Sequence, residues 1–60
     1  MPFVKVELLA GRTKAQKSEL AKVITEAVAR IAKTTPESTT VVFQDVSHEN
    51  WSQAGVLASD

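Results

Sequence analysis

The sequence predicts an α/β (α+β) fold: a β-α-β protomer with parallel strands and a short C-terminal hairpin, self-associating through its sheet edge. Three observations carry that prediction. Valines alternate with charged residues near the N-terminus, one capped amphipathic segment follows, and a second valine-rich stretch comes after Pro36. Strand, helix, strand in that order makes a crossover unit, whose strands run parallel with a right-handed connection. With 60 residues there is room for one small domain, residues 1–60, and no second.

In the first element, about residues 2–9, Val4, Val6 and Leu8 share one face, while Phe3, Lys5, Glu7 and Leu9 share the other. A period of two indicates a strand. Because the second face still carries Phe3 and Leu9, it is expected to lie against something beyond the chain's own helix. Ala10-Gly11 ends the strand. Thr13-Lys14-Ala15-Gln16 reads as a capping box, with the Thr13 hydroxyl accepting from the Gln16 N–H and the Gln16 side chain reaching back.

The helix is expected over about residues 14–33. Leu20, Val23, Ile24, Ala27, Val28 and Ile31 recur at helical spacing as one apolar stripe, and most of the lysines lie on the remaining surface. Glu26 and Arg30 form an i,i+4 pair in the favourable order, and Lys33 suits the helix C-terminus electrostatically. Pro36 disfavours helix at the residue before it. The second strand, about residues 39–46, has apolar residues on both parities at Val41-Val42-Phe43, the pattern of a strand buried on both faces. Residues 47–50 read as a turn or short helical piece. Residues 51–59, with Gly55, read as a small hairpin or an arm.

Such a protomer is incomplete by itself. A chain this short buries only about 60% of its unfolded surface, and two parallel strands do not make an independently stable sheet. Cysteine is absent, which excludes disulfides and thiolate metal sites. The single histidine, His48, cannot build a zinc site without several well-placed carboxylates. Self-association remains. Edge-to-edge pairing gives a four-stranded dimer sheet with two helices on one face. Phe3, Leu9, Trp51 and Val56 are then left for further contacts, so an oligomer larger than a dimer is expected.

Composition removes other classes. Seven basic and seven acidic residues give a net charge of zero, against the basic excess of a nucleic-acid binder. No apolar run approaches the roughly 18 residues of a membrane helix, and the N-terminus lacks a secretory pattern. The expected address is the cytoplasm, with no nucleic-acid and no membrane partner.

Most catalytic signatures are missing: there is no GxGxxG, P-loop, HExxH or GxSxG. Two features survive. Pro2 follows Met1, and a small second residue permits removal of the methionine, leaving a free secondary amine at the start of a strand. An ordinary α-amino group has a pKa of roughly 7.7–8.0, and a proline amine is more basic still. A guanidinium about 6 Å away, at an effective dielectric of about 20, lowers it by about two units. That is the size needed for a base at neutral pH. The alternative is a proline that merely starts a strand, where its missing N–H is harmless. Arg12, in the Ala10-Gly11-Arg12 turn before the helix, can clamp a carboxylate bidentately beside helix N-terminal N–H groups, or be a solvated loop arginine. Trp51 is an interface anchor or a pocket wall. His48, Asp45 and Glu49 read as exposed turn and strand-end surface.

Taken together these residues resemble the 4-oxalocrotonate tautomerase family, of the small-subunit type with an N-terminal proline. The resemblance runs through Pro2 after Met1, the short alternating strand, Leu9-Ala10-Gly11-Arg12-Thr13, and Gln16-Lys17 opening an amphipathic helix. It continues through Val41-Val42-Phe43, Asn50-Trp51 in the place of the family's active-site aromatic residue, and Gly55 in the terminal hairpin. It covers nearly the whole chain.

The resemblance implies a homohexamer, commonly a trimer of dimers, with sites at subunit boundaries and no metal or organic cofactor. It implies an isomerase in which the Pro2 amine is the general base for keto–enol tautomerisation of a small unsaturated 2-keto or 2-hydroxy acid. Arg12 binds the substrate carboxylate, and Trp51 lines the pocket. One departure stands out. The family's second arginine, early in the second strand, is matched here by Thr40, or by Val41 if the gap at Pro36 is placed differently. Neither supplies a cation. A monoacid enol or dienol is therefore expected to suit this site better than a diacid. Two other functions fit the same scaffold: a hydratase or dehalogenase, and a non-catalytic oligomeric interaction module.

Overall fold

The computed structural model describes all 60 residues. Strand β1 spans Phe3–Leu9, helix α1 Lys14–Ile31 and strand β2 Thr40–Val46. A short antiparallel hairpin follows, β3 over Ser52–Gln53 and β4 over Val56–Leu57, with single 3-10 turns at Pro36–Ser38 and His48–Asn50. β1 and β2 pair in parallel from Phe3 opposite Thr40 to Leu9 opposite Val46. The β-α-β architecture and the terminal hairpin are thus those expected from the sequence.

Alternation decides the faces. Val4, Val6 and Leu8 on β1, with Val41 and Phe43 on β2, are half-buried under the helix, while Phe3, Lys5, Glu7, Thr40, Val42 and Gln44 are exposed. Within one protomer β2 is not buried on both faces, since Val42 remains 37% exposed. Its second face awaits a partner.

The helix starts as expected. The Gln16 N–H donates to the Thr13 hydroxyl at 3.1 Å, and Gln16 Oε1 accepts from the Thr13 N–H at 2.9 Å. The apolar stripe, however, is only partly covered. Ala21, Ile24, Ala27 and Val28 are half-buried, whereas Leu20, Val23 and Ile31 are exposed, the last two at 56% and 69%. The reason is width. Two strands about 4.8 Å apart make a sheet narrower than a helix of about 10–12 Å diameter, so one flank of the stripe overhangs. The expected Glu26–Arg30 pair does not form; the single ion pair joins Lys17 to Asp45.

Helical geometry ends at Ile31, and the Ala32 N–H closes onto Val28 O at 2.8 Å. Lys33 then adopts φ 56°, and the Thr34 N–H reaches back to Ala29 O at 3.0 Å, a Schellman-type stop. Lys33 therefore sits at the left-handed position usually held by glycine, beyond the last turn. In that turn the basic residue is Arg30.

The hairpin is an arm: its substantial contacts are internal or with the preceding 3-10 turn. Ala54 and Gly55 both have positive φ, 53° and 81°, as a two-residue type I′ connection requires. The whole chain measures 43 × 23 × 13 Å with a radius of gyration of 14.3 Å, against about 10 Å for a compact domain of this length. Its surface is 4603 Å², where a monomer of this mass presents about 3,800 Å². Not one residue is fully buried, and Phe3 (65%) and Val56 (59%) are largely exposed. No helix is long and apolar enough to cross a membrane.

Candidate active site

The predicted site residues fall at two ends of the sheet. At one end, the Pro2 carbonyl accepts the Thr40 N–H at 3.0 Å, one step before the first paired residue of β1. The proline ring is half-buried, but Met1 ahead of it is 95% exposed. In the lead-in to β2, Thr34, Thr35, Ser38 and Thr39 are tied together by their own hydroxyls. Thr40 is the one predicted site residue brought beside Pro2 within the protomer, and its hydroxyl makes no such bond.

At the other end, β1 stops where the Ala10 N–H meets Val46 O at 2.8 Å. Gly11 then takes φ 134°, a conformation that side chains rarely tolerate, and reverses the chain into the helix. Arg12 stands exposed on this turn. Its Nη1 donates to Leu9 O at 3.3 Å, and no carboxylate pairs with it. Since a guanidinium has five N–H donors, most remain available to an anion. Trp51 lies half-buried just past the His48–Asn50 turn, with its carbonyl accepting from the Ala58 N–H at 2.8 Å. His48 and Glu49 are exposed as expected. Asp45 is more than strand-end surface: its Oδ2 holds Lys17 Nζ at 2.6 Å.

Pro2 and Arg12 do not meet in one chain. The seven residues of β1 separate them, about 23 Å at about 3.3 Å per step. Arg12 of the same chain therefore does not supply a guanidinium about 6 Å from the Pro2 nitrogen. The sequence reading also overlooked the wall beside Arg12. A groove of about 360 Å³ is lined by Arg12, Gln16, Glu19, Leu20 and Val23. Extending the helical period one turn back from Leu20 brings Gln16 onto this flank, so part of the signal was available.

The family model for the tautomerase enzymes matches residues 2–60. The chain belongs to the tautomerase family. A probable tautomerase of Streptococcus agalactiae is 44% identical over 57 residues, covering 95% of each chain. One from Streptococcus thermophilus is 48% identical over 46 residues, 77% of this chain and 75% of that one. Among solved structures, a 4-oxalocrotonate tautomerase homologue superposes with a TM-score of 0.96 at 37% identity, covering 100% of this chain and 95% of the other. A heterohexameric 4-oxalocrotonate tautomerase of Chloroflexus aurantiacus gives 0.94 at 25% identity, covering 100% and 97%. This tautomerase is therefore of the isomerase type, with the family's β-α-β fold.

Proposed function

We propose that this tautomerase interconverts the enol and keto forms of a small unsaturated 2-keto acid carrying one carboxylate. The base is the Pro2 amine, freed when Met1 is removed. It takes a proton from the 2-hydroxyl or the α-carbon and returns it to a remote carbon. Arg12 of a neighbouring copy clamps the carboxylate and draws electron density toward it, and Trp51 walls the pocket from water. The carrying observation is the setting of Pro2, held by its carbonyl to Thr40 while Met1 ahead of it is 95% exposed. Removal of that methionine frees the amine without disturbing the sheet.

Assembly follows from the same separation. The uncovered helix flank, the open sheet face and the detached arm all ask for partners, and the relative from Chloroflexus aurantiacus is a heterohexamer. A homohexamer of single-domain protomers, with Pro2 and Arg12 of different copies meeting at each boundary, fits these features. A guanidinium and poor hydration then disfavour the protonated amine together.

Thr40, beside Pro2, offers a neutral hydroxyl and no cation. Lacking a charged donor for a second carboxylate, the site favours monoacids such as phenylenolpyruvate over 2-hydroxymuconate. Intact mass spectrometry of protein with its native start is expected to find the methionine gone. Steady-state kinetics are expected to show Pro2→Ala losing about 10²-fold or more in kcat/KM, the usual contribution of a positioned base. Unchanged turnover by Pro2→Ala, in which a primary amine replaces the cyclic one, would show that the ring amine is not what the reaction needs.

A further inference from the structure

Arg12 belongs to a closed ring of contacts. The Ala10 N–H is bound to Val46 O at 2.8 Å, the chain runs through Gly11 and Arg12 to Thr13, and Thr13 O accepts the Lys17 N–H at 3.1 Å. Lys17 Nζ returns to Asp45 Oδ2 at 2.6 Å, and Asp45 directly precedes Val46. Within this ring, residues 11–13 are held otherwise only by the capping box and by the 3.3 Å bond from Arg12 Nη1 to Leu9 O. Elsewhere the half-buried apolar residues of the helix are Ala21, Ile24, Ala27, Val28 and Ala29, whose burial carries no directional preference. The Lys17–Asp45 bond is short, charge-assisted and directional, and it is the one ion pair of the chain.

We propose that Lys17 and Asp45 are positioning residues for Arg12. Their bond fixes the first helical turn against the end of β2 and so aims the guanidinium at the substrate carboxylate. This rests on the reading of Arg12 as the carboxylate clamp. Both side chains are partly exposed, 27% and 44%, so either can be neutralised without unfolding the chain. The effect appears in substrate binding.

The test is steady-state kinetics of the assembled protein on a monocarboxylic enol such as phenylenolpyruvate, combined with Arg12→Ala. Asp45→Asn and Lys17→Met are each expected to raise KM about 3- to 5-fold, with kcat within about twofold and no further rise when combined. In the Arg12→Ala background neither is expected to change KM further. The reversed pair, Lys17→Glu with Asp45→Lys, is expected to restore most of the lost affinity. Unchanged KM in both single variants, or an effect that adds fully to Arg12→Ala, overturns the proposal while leaving the clamp intact. If Arg12→Ala itself leaves KM unchanged, the clamp reading falls and the proposal falls with it.

Discussion

If each site draws its base and its clamp from different copies, two inactive variants must rescue one another. One variant carries Pro2→Ala and the other Arg12→Ala. Within a chain the two positions lie at opposite ends of β1, about 23 Å apart, and the bond to Leu9 O keeps the guanidinium at the far end. Exchanging the cyclic secondary amine for a primary one displaces the positioned base, whose contribution is about 10²–10⁴-fold. Loss of a charged hydrogen-bonding partner costs about 1.5–3 kcal/mol, or roughly 10- to 150-fold. Each parent therefore retains at most about a tenth of normal activity. In a randomly mixed 1:1 oligomer, a site has its proline from an Arg12-deficient copy half of the time, and its arginine from a Pro2-deficient copy half of the time. About a quarter of the sites are then intact. Denaturing the two variants together, refolding, and following ketonisation spectrophotometrically is expected to give about a quarter of the rate of refolded wild type. Activity equal to the mean of the two parents means that base and clamp reside in one chain, and the composite site is wrong.

Three further substitutions probe the fold and its assembly. Ile31→Glu puts a charge where an isoleucine 69% exposed on the helix flank awaits cover; light scattering at micromolar concentration is expected to show a smaller particle, and an unchanged mass would count against that flank as an interface. Lys33→Gly relieves a left-handed backbone at φ 56° that costs a residue with a side chain about 1–2 kcal/mol. Thermal unfolding should shift upward, and a fall would refute the assignment of the helix stop. Ala54→Asn supplies the residue that the first position of the 54–55 turn prefers, with an expected gain under about 1 kcal/mol, read in the same assay.

What the sequence made legible was local. Thr13 and Gln16 lie three residues apart, so their reciprocal capping is written in the chain itself. The alternation of Val4, Val6 and Leu8 names the covered face of β1 because period two leaves no other choice. The rotation of the helix was not legible, because it depends on how many strands lie beneath it. Leu20, Val23 and Ile31 look as buried in sequence as Ile24 and Val28, and only the narrow sheet separates them. The partner of Lys17 was equally hidden, 28 residues away. The helical spacing of Glu26 and Arg30 suggested an ion pair that is absent; exposed pairs of this kind contribute only about 0.3–0.5 kcal/mol and are easily forgone to water. For the site, residue types pointed to Pro2 and Arg12, but their separation depended on counting the length of β1 between them.

The neutral threonine beside the base gives the substrate preference its sharpest test. Thr40 lies opposite Phe3 on the exposed sheet face, and its N–H anchors the Pro2 carbonyl at 3.0 Å. An arginine there keeps the backbone bond, since that bond uses no side-chain atom. A charged donor to the second carboxylate is worth about 1.5–3 kcal/mol, or roughly 10- to 150-fold. Thr40→Arg is therefore expected to raise kcat/KM for 2-hydroxymuconate toward that range while changing phenylenolpyruvate turnover much less. The asymmetry is the point, because a variant that merely tightened the fold would move both substrates together. Equal gains on the two, or no gain on the dicarboxylate in a variant that still assembles, would show that missing charge at Thr40 does not set the preference.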